Sequence, residues 1–212
     1  MRRLPTTERF AMITLYHRPQ TRSSRFIFLL EELGAPYEVR IVSTRSRDGT
    51  GTVDPANPHP HGKVPAISDD GAVVFESSAI TLYLTDKFPQ NRIGPLVGDP
   101  LRGAYLSWLA YYAGVFEPAL ISKFMNVEVP RVTAGWVALE EVMPTILAQL
   151  TRGQYWLGDT FTGVDVLFGT TFAQFAQSDM FPKAPVLEAY VKRVVARPAF
   201  ARAMAKDRQG TG

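Results

Sequence analysis

The chain contains no cysteine among its 212 residues, and this absence restricts the chemistry that it can perform. A chain without cysteine forms no disulfide, carries no Cys-x-x-Cys redox centre, offers zinc no thiolate ligand and has no thiol nucleophile. Any thiol chemistry must therefore use a thiol that the substrate carries.

Long apolar runs and concentrated positive charge are also missing from the chain. No segment approaches the roughly 18 consecutive apolar residues of a membrane helix, and residues 1–10 contain no apolar stretch of signal-peptide length. The net charge is only +3, without the basic stripe that is typical of a nucleic-acid reader. We therefore expect a cytoplasmic protein that binds neither a membrane nor nucleic acid, with frayed extensions at residues 1–10 and 206–212.

Histidine is scarce, with three residues in the whole chain. His59 and His61 flank a proline, and neither they nor His17 has a carboxylate placed as a clear third ligand. We expect all three to be solvated loop residues, and we expect no metal site.

The first ninety residues show the pattern of an α/β unit. Apolar strand formers, a helix-period segment capped by serine and ended by Gly34, and a second strand predict two parallel strands joined by a crossover helix. A polar loop with a short helix follows at 43–62, and then a hairpin around an Asp-Gly turn and another helix. The predicted strands and helices lie at 12–16, 23–33, 37–42, 66–68, 73–75 and 77–88.

The remainder of the chain shows helical periodicity only. A connector rich in proline and glycine at 90–100 is the best domain boundary. Pro118 predicts a kink or break in the first of the helices. The predicted helices lie at 101–125, 132–150, 165–178 and 186–196, with a short one after Pro198.

Residues Thr162-Gly-Val-Asp165 have the spacing of a capping box, in which the Thr162 hydroxyl and the Asp165 carboxylate bond each other's backbone N–H groups. Such a motif stabilises a helix start and is not a chemical site. We expect Asp165 to matter for stability.

Several motifs, in matching order and spacing, resemble those of the glutathione transferase superfamily. The segment 62–67 together with 76–80 resembles the glutathione-site signature of the superfamily. The segments 15–19 and 30–38 resemble those of bacterial members. The motifs are Leu15-Tyr-His-Arg-Pro19, Leu30-Glu-Glu-Leu-Gly-Ala-Pro-Tyr-Glu38, Gly62-Lys-Val-Pro-Ala-Ile67 with Glu76-Ser-Ser-Ala-Ile80, Phe161-Thr-Gly-Val-Asp165 and Arg193-Val-Val-Ala-Arg-Pro-Ala-Phe200. The resemblance implies an α/β thioredoxin-like N-terminal domain at 11–90, packed on an all-α helical-bundle C-terminal domain at 99–206.

The resemblance also implies a glutathione site in the first domain. The Val64–Pro65 peptide bond is then cis, which turns the Val64 backbone toward the ligand. Ser77, at a helix start, receives the γ-glutamyl carboxylate, with Glu76 near the ligand's amino group. Lys63 faces the glycyl carboxylate.

The group that activates the thiol is sought at the first strand–helix turn. A free cysteine thiol has a pKa of about 8.5, and lowering it by about two units takes roughly 2.7 kcal/mol of differential stabilisation. A hydroxyl donor together with a helix N-terminus can supply this. The family uses Tyr, Ser or Cys in this region, whereas this chain has Gln20-Thr-Arg-Ser-Ser24. Thr21 and Ser23 are the candidate donors, and Arg22 is an electrostatic alternative.

Aromatic residues in the first helix of the second half would line the pocket for a second substrate. The resemblance assigns Tyr111, Tyr112 and Phe116 to this role, although an aromatic stripe by itself favours core packing. The function implied is conjugation of the glutathione thiolate to a hydrophobic small-molecule electrophile by a homodimer, without a metal. Two alternatives stay open: a glutathione-dependent peroxidase, isomerase or lyase on the same site, and a non-catalytic ligand-binding protein that kept the fold.

Overall fold

The computed structural model of the chain describes residues 12–46 and 48–209. The extension predicted at residues 1–10, the first residue of the predicted 11–90 domain and the last three residues of the predicted tail lie outside the described residues.

Four strands form one mixed sheet in the order β2-β1-β3-β4. The strands are β1 (Ile13–His17), β2 (Tyr37–Ile41), β3 (Ala66–Asp69) and β4 (Ala72–Phe75). Strands β1 and β2 are parallel, whereas β3 is antiparallel to both β1 and β4. The β3–β4 turn has positive φ at Asp70 and Gly71, as a two-residue Asp-Gly hairpin requires. The predicted strand–helix–strand unit and hairpin are confirmed.

The described residues also form eight α-helices, some packed on this sheet and the others in the second half of the chain. They are α1 (Ser24–Leu33), α2 (Ser77–Lys87), α3 (Arg102–Tyr111), α4 (Glu117–Met125), α5 (Leu139–Leu150), α6 (Gly163–Gln174), α7 (Pro185–Val195) and α8 (Pro198–Gln209). The thioredoxin-like α/β part and the mainly helical remainder are those expected from the sequence. No helix in the described part of the chain is long and apolar enough to span a lipid bilayer.

Helix α1 is buried on nearly every side. Its apolar residues from Phe26 to Leu30 are all fully buried, because the sheet covers one face and helices α6 and α8 pack on the others. Gly34 ends the helix in the left-handed conformation, with φ of 56°, where glycine carries no steric penalty. Ser23 precedes the helix but makes no side-chain cap, so its predicted capping role is wrong.

Three segments differ from the sequence-based predictions. The helix expected from Val132 begins only at Leu139, since Pro130 and Gly135 interrupt the preceding residues and the Val132 side chain is almost wholly exposed. The break predicted at Pro118 takes the form of a π-helical segment, Tyr112–Phe116, that joins α3 to α4. Residues 43–46 and 48–62 contain turns and no helix.

The predicted frayed tail is wrong for residues 206–209, which form the last turn of α8. Lys206 donates to Glu31 Oε1 of α1 at 2.6 Å, and Arg202 donates to Glu31 Oε2 at 2.7 Å. Asp207 is buried, with 6% of its surface exposed. These contacts hold the end of the chain against the first helix.

Close backbone approach joins the sheet half to the helical half. A Cβ atom on Gly163 would lie 2.4 Å from Thr81 Cγ2 and 2.6 Å from the Tyr105 hydroxyl. Only glycine therefore allows the start of α6 to sit this close to α2. The buried apolar residues of β1, α1 and α6 belong to a single continuous core.

Asp165 forms the predicted capping box and also accepts hydrogen bonds from two residues outside it. Its fully buried carboxylate accepts the Thr162 N–H at 2.8 Å and the Thr162 hydroxyl at 3.0 Å. It also accepts the Trp156 N–H at 2.8 Å and the Tyr190 hydroxyl at 3.0 Å. Burial raises the pKa of Asp165 to about 6, and the four donors oppose this rise. The carboxylate thus joins α6, α7 and the preceding loop.

Replacing Asp165 by alanine should lower the free energy of unfolding by about 3 kcal/mol or more. Two buried backbone N–H groups lose their acceptor, at a cost of about 1–3 kcal/mol each. Thermal denaturation measures the effect. Asp179→Ala, at a side chain that is 98% exposed, is the control and should change stability by no more than about 0.5 kcal/mol. Equal melting temperatures for the two variants would contradict the assignment.

Candidate active site at the first strand–helix turn

The pairing of the strands brings three segments to one end of the sheet. Ala66, at the start of β3, is paired with Tyr16 near the end of β1 and with Phe75 at the end of β4. The residues after Tyr16, before Ala66 and after Phe75 therefore emerge together. These are the β1–α1 turn, the Val64–Pro65 peptide and the start of α2.

His17, the last residue of β1, is only 1% exposed. Its Nδ1 atom lies 2.8 Å from Ser23 Oγ, and its Nε2 atom lies 3.1 Å from Asp207 Oδ1. Burial lowers the pKa of His17, and the neighbouring Asp207 carboxylate partly opposes this. The expectation of a solvated loop histidine is wrong, because β1 directs this side chain under the turn.

Ser23 is fully buried beneath the turn. Its hydroxyl accepts the Arg18 N–H at 3.2 Å, and it can donate either to the Arg18 carbonyl, 3.1 Å away, or to His17 Nδ1. It also lies 2.8 Å from Thr21 Oγ1. The expectation that Ser23 contacts a bound thiol must be corrected, since an enclosed hydroxyl has no access to a ligand.

Thr21, unlike Ser23, has a side chain that reaches open space. Its side chain is half-buried and lines two cavities of about 420 and 460 Å³ on either side of the turn. Its hydroxyl donates to the Arg18 carbonyl at 2.6 Å. Gln20, just before it, has φ of 58°, a left-handed conformation that is uncommon for a residue with a side chain.

Two arginines of this region have different environments. Arg22 is exposed, and its Nε donates to Glu117 Oε1 of α4 at 2.6 Å. Arg25 is buried and donates to the Tyr112 hydroxyl and, at 3.3 Å, to Thr171 Oγ1. The positive charge that the turn offers at its surface is therefore that of Arg22, already paired with a carboxylate.

The second part of the site surrounds the Val64–Pro65 peptide bond, which is cis as predicted. Lys63 is exposed, Val64 is half-buried and Pro65 is buried at the start of β3. Ser77 is the first residue of α2 and is 9% exposed. Glu76 precedes it with φ of 70° and a side chain that is 69% exposed.

His59 is a further residue at this end that the sequence analysis did not place in the site. It is buried against the Phe75 ring, and its Nε2 lies 3.7 Å from Glu76 Oε1. Burial lowers its pKa, with the Glu76 carboxylate acting in the opposite direction. His59 lies three residues before Gly62, the first residue of the motif at 62–67, and this short distance along the sequence could have placed it near the site.

Tyr112 and Phe116 do not line a pocket, so that expectation also needs correction. Both are fully buried, and their rings lie 5.0 and 4.9 Å from the ring of Phe168 in α6. The π-helical segment directs them into the aromatic core. Tyr111 is half-buried and packs edge-on against Trp108. The cavity of about 460 Å³ beside Thr21 is instead lined on its apolar side by Leu120, Ile121, Phe124 and Phe175.

Asp207 is the residue of this region that sequence reasoning missed. It accepts the Gln20 N–H at 3.2 Å and the Ser24 hydroxyl at 2.5 Å. The signal was the spacing of Ala199, Ala203 and Asp207, which repeats every four residues and marks the buried face of α8. Within residues 12–46 and 48–209, no group of three acidic or histidine side chains is arranged to hold a metal.

The chain is similar in sequence and in fold to known proteins. Residues 22–87 match the family model of the glutathione S-transferase N-terminal domain. Glutathione S-transferase PARB of Nicotiana tabacum is 26% identical over 162 residues, which cover 70% of this chain and 76% of the relative. Glutathione S-transferase 3 of Schizosaccharomyces pombe is 38% identical over 77 residues, covering 36% of this chain and 31% of the relative.

Solved structures extend the similarity to nearly the whole chain. A glutathione S-transferase from Actinobacillus pleuropneumoniae superposes with a TM-score of 0.75 at 26% identity, covering 93% of both chains. A sphingomonad glutathione S-transferase, solved with glutathione, superposes with a TM-score of 0.74 at 25% identity, covering 92% of this chain and 98% of the other. In fold class, the chain is a thioredoxin-like domain, with a cis-proline at the start of β3, followed by a mainly helical remainder. Residues 22–87 belong to the family of glutathione S-transferase N-terminal domains, and the chain as a whole has the fold of the glutathione S-transferases.

Replacing Asp207 by alanine should destabilise the protein by about 3–6 kcal/mol. The variant loses two hydrogen bonds to a charged acceptor, each worth about 1.5–3 kcal/mol, and leaves the Gln20 N–H without its partner. Thermal and urea denaturation measure the loss. Gln209→Ala, at an exposed position in the same helical turn, is the control. If both variants unfold alike, the end of α8 does not anchor the turn.

Proposed function

We propose that the protein is a glutathione transferase that joins the thiolate of glutathione to a hydrophobic electrophile. The observation that carries this proposal is the convergence of the Thr21 turn, the cis Val64–Pro65 peptide and the Ser77 helix start at one end of the sheet. A tripeptide with a carboxylate at each end and a thiol between them has the functional groups that such an arrangement recognises.

The start of α2 is the proposed site for the γ-glutamyl carboxylate. The first N–H groups of a helix lack internal partners, and the helix dipole places partial positive charge there. Ser77 adds a hydroxyl at this end, and the exposed Glu76 carboxylate is next to it for the ligand's amino group. Ser77 and Glu76 thus provide complementary charge for the two groups of one α-amino acid.

The Val64 backbone is the proposed partner of the central cysteinyl residue, which it pairs with as an added strand would. Lys63, one residue earlier and exposed, is the proposed partner of the glycyl carboxylate. Together these contacts orient the thiol toward the β1–α1 turn.

Thr21 is the proposed donor to the thiolate. Its side chain lines the open cavities of the turn, whereas Ser23 is enclosed below it. The N-terminus of α1, which begins three residues later, adds favourable partial charge. Arg22 contributes positive charge near the turn, reduced by its contact with Glu117.

The cavity of about 460 Å³ beside Thr21 is the proposed site of the electrophile. Its size falls within the range of small-molecule pockets, and its apolar side chains favour an apolar ligand. It takes the place of the pocket that the sequence analysis assigned to Tyr111, Tyr112 and Phe116.

The resemblance further suggests domain boundaries at 11–90 and 99–206, a cytoplasmic location and a homodimer, which we keep as parts of the proposal. Val73 and Phe75 on edge strand β4, and Leu106 on α3, are exposed apolar side chains. A second copy of the chain that covered them would remove apolar surface from water.

Glutathione titration followed by calorimetry and by ultraviolet difference absorbance near 240 nm tests the proposal. We expect saturable binding and a thiolate band with an apparent thiol pKa of about 6–7, well below the free value of about 8.5. Ser77→Ala should weaken glutathione binding by about tenfold, which corresponds to about 1.4 kcal/mol. Absence of binding by the wild-type protein would remove the proposed function.

Two substitutions of Thr21, with opposite expected results, test whether its hydroxyl donates to the thiolate. Thr21→Val keeps the shape of the side chain but removes the hydroxyl, and it should raise the thiol pKa and lower turnover with a model aryl halide by about tenfold or more. Thr21→Ser keeps the hydroxyl and should stay within about threefold of the wild type. Equal rates for all three proteins would exclude Thr21 as the donor.

One observation favours a second function. The Thr21 hydroxyl already donates to the Arg18 carbonyl at 2.6 Å, and it must leave this acceptor to reach a thiolate. A protein in which that bond persisted would bind glutathione without activating it, as a carrier. Binding by calorimetry without a thiolate band below pH 8 would support the carrier, and product analysis with peroxide, isomerase and lyase substrates would separate the related enzyme activities.

A further inference from the structure

A continuous chain of polar contacts leads from the proposed thiol site into the protein. Thr21 Oγ1 lies 2.8 Å from Ser23 Oγ, and Ser23 Oγ lies 2.8 Å from His17 Nδ1. On the far side of the ring, His17 Nε2 lies 3.1 Å from Asp207 Oδ1. Thr21 alone among these four lies on both cavities of the turn, while Ser23, His17 and Asp207 are 0%, 1% and 6% exposed.

We propose that this chain is a proton relay, in which His17, held by Asp207, accepts the proton that the bound thiol loses. The proposal rests on the proposed function, because glutathione supplies the thiol. It adds a destination for the proton within the protein and gives the buried histidine and the C-terminal helix a role in thiol activation.

The hydroxyls can satisfy the histidine in both of its protonation states. When His17 is neutral with a bare Nδ1, the Ser23 hydroxyl donates to that nitrogen and the Thr21 hydroxyl donates to Ser23 Oγ or to the Arg18 carbonyl. When His17 is protonated, its Nδ1–H donates to Ser23 Oγ. The Ser23 hydroxyl then turns to the Arg18 carbonyl, 3.1 Å away. The His17 Nδ1 atom and the Ser23 hydroxyl therefore have a partner in either state.

The proton balance of the step is complete without an oxidant or a further reactant. The thiol S–H bond breaks and its proton passes to Thr21 Oγ1, while the Thr21 proton moves to Ser23 Oγ and the Ser23 proton moves to His17 Nδ1. The products are a thiolate and an imidazolium ion. After the thioether forms, the proton returns along the same chain to the leaving group or to water.

The charges around His17 suit a proton acceptor. Burial lowers the pKa of His17 and so favours the neutral ring in the free protein, whereas the Asp207 carboxylate acts in the opposite direction and favours the protonated ring. The carboxylate of Asp207, from α8, faces the ring and compensates the charge that forms there. Arg18, the adjacent cation, directs its guanidinium away to Thr44 Oγ1 at 2.6 Å. At the start of α1, Ser24 is uncharged, and Arg25 directs its guanidinium to the Tyr112 and Thr171 hydroxyls.

Nitrogen NMR of the histidine rings tests the relay in the intact protein. The chain has three histidines, so His59→Gln and His61→Gln assign the His17 signals. We expect neutral ring nitrogens in the free protein at pH 7 and an imidazolium pattern when glutathione is bound. S-methylglutathione, which fills the same site but has no thiol proton, should leave His17 neutral.

A variant supplies a second, independent readout. His17→Gln should bind S-methylglutathione within about threefold of the wild type, which shows that the site is intact. Its apparent thiol pKa for bound glutathione should rise toward the free value of about 8.5. His61→Gln, an exposed histidine outside the relay, should keep the wild-type thiol pKa.

The outcomes separate the relay from the proposed function. Glutathione binding with a thiolate band but a neutral His17 would overturn the relay and leave the transferase standing. An imidazolium pattern with both ligands would also overturn it, since the proton would not come from the thiol. Absence of glutathione binding by calorimetry would remove the proposed function and the relay together.

Discussion

Helix α1 is buried between the sheet and the helices of the second half, and the position of the β1–α1 turn at the candidate site depends on that burial. Five consecutive apolar residues, Phe26 to Leu30, have no exposed surface. At about 1.5–3 kcal/mol for each fully buried large apolar side chain, this helix has little freedom to shift. Its N-terminus is therefore held next to β1, and the turn between them must adopt one shape.

The shape of that turn is held by polar contacts beneath it. Ser23 and Thr21 bond the Arg18 backbone, and Asp207 from the last turn of α8 accepts the Gln20 N–H and the Ser24 hydroxyl. Unsatisfied polar groups are costly at a buried position, so each contact restricts the others. The end of the chain thus takes part in forming the site near its beginning.

Two buried carboxylates illustrate different uses of the same side chain. Asp165 has four donors from the helical half, and all of them serve the packing of α6 and α7. Asp207 faces a histidine as well as backbone and hydroxyl donors. The first arrangement leaves no titratable partner other than a tyrosine, and it is structural. The second couples a carboxylate to a base that leads to the cavity, which is why the relay is proposed there.

Local patterns in the sequence were sufficient for the order of strands and helices, the Asp-Gly hairpin, the helix end at Gly34 and the capping box at Thr162. Each of these depends on a few neighbouring residues, whose backbone preferences act over one or two turns. The resemblance of the motifs to those of the family further predicted the cis Val64–Pro65 bond. The tertiary structure alone decided which polar and aromatic side chains face a cavity and which are enclosed. Ser23, Tyr112 and Phe116 proved to be buried, and His17 and Asp207 proved to be neighbours 190 residues apart. Burial and contact between distant residues depend on how whole helices pack against the sheet, and no local sequence pattern contains that information.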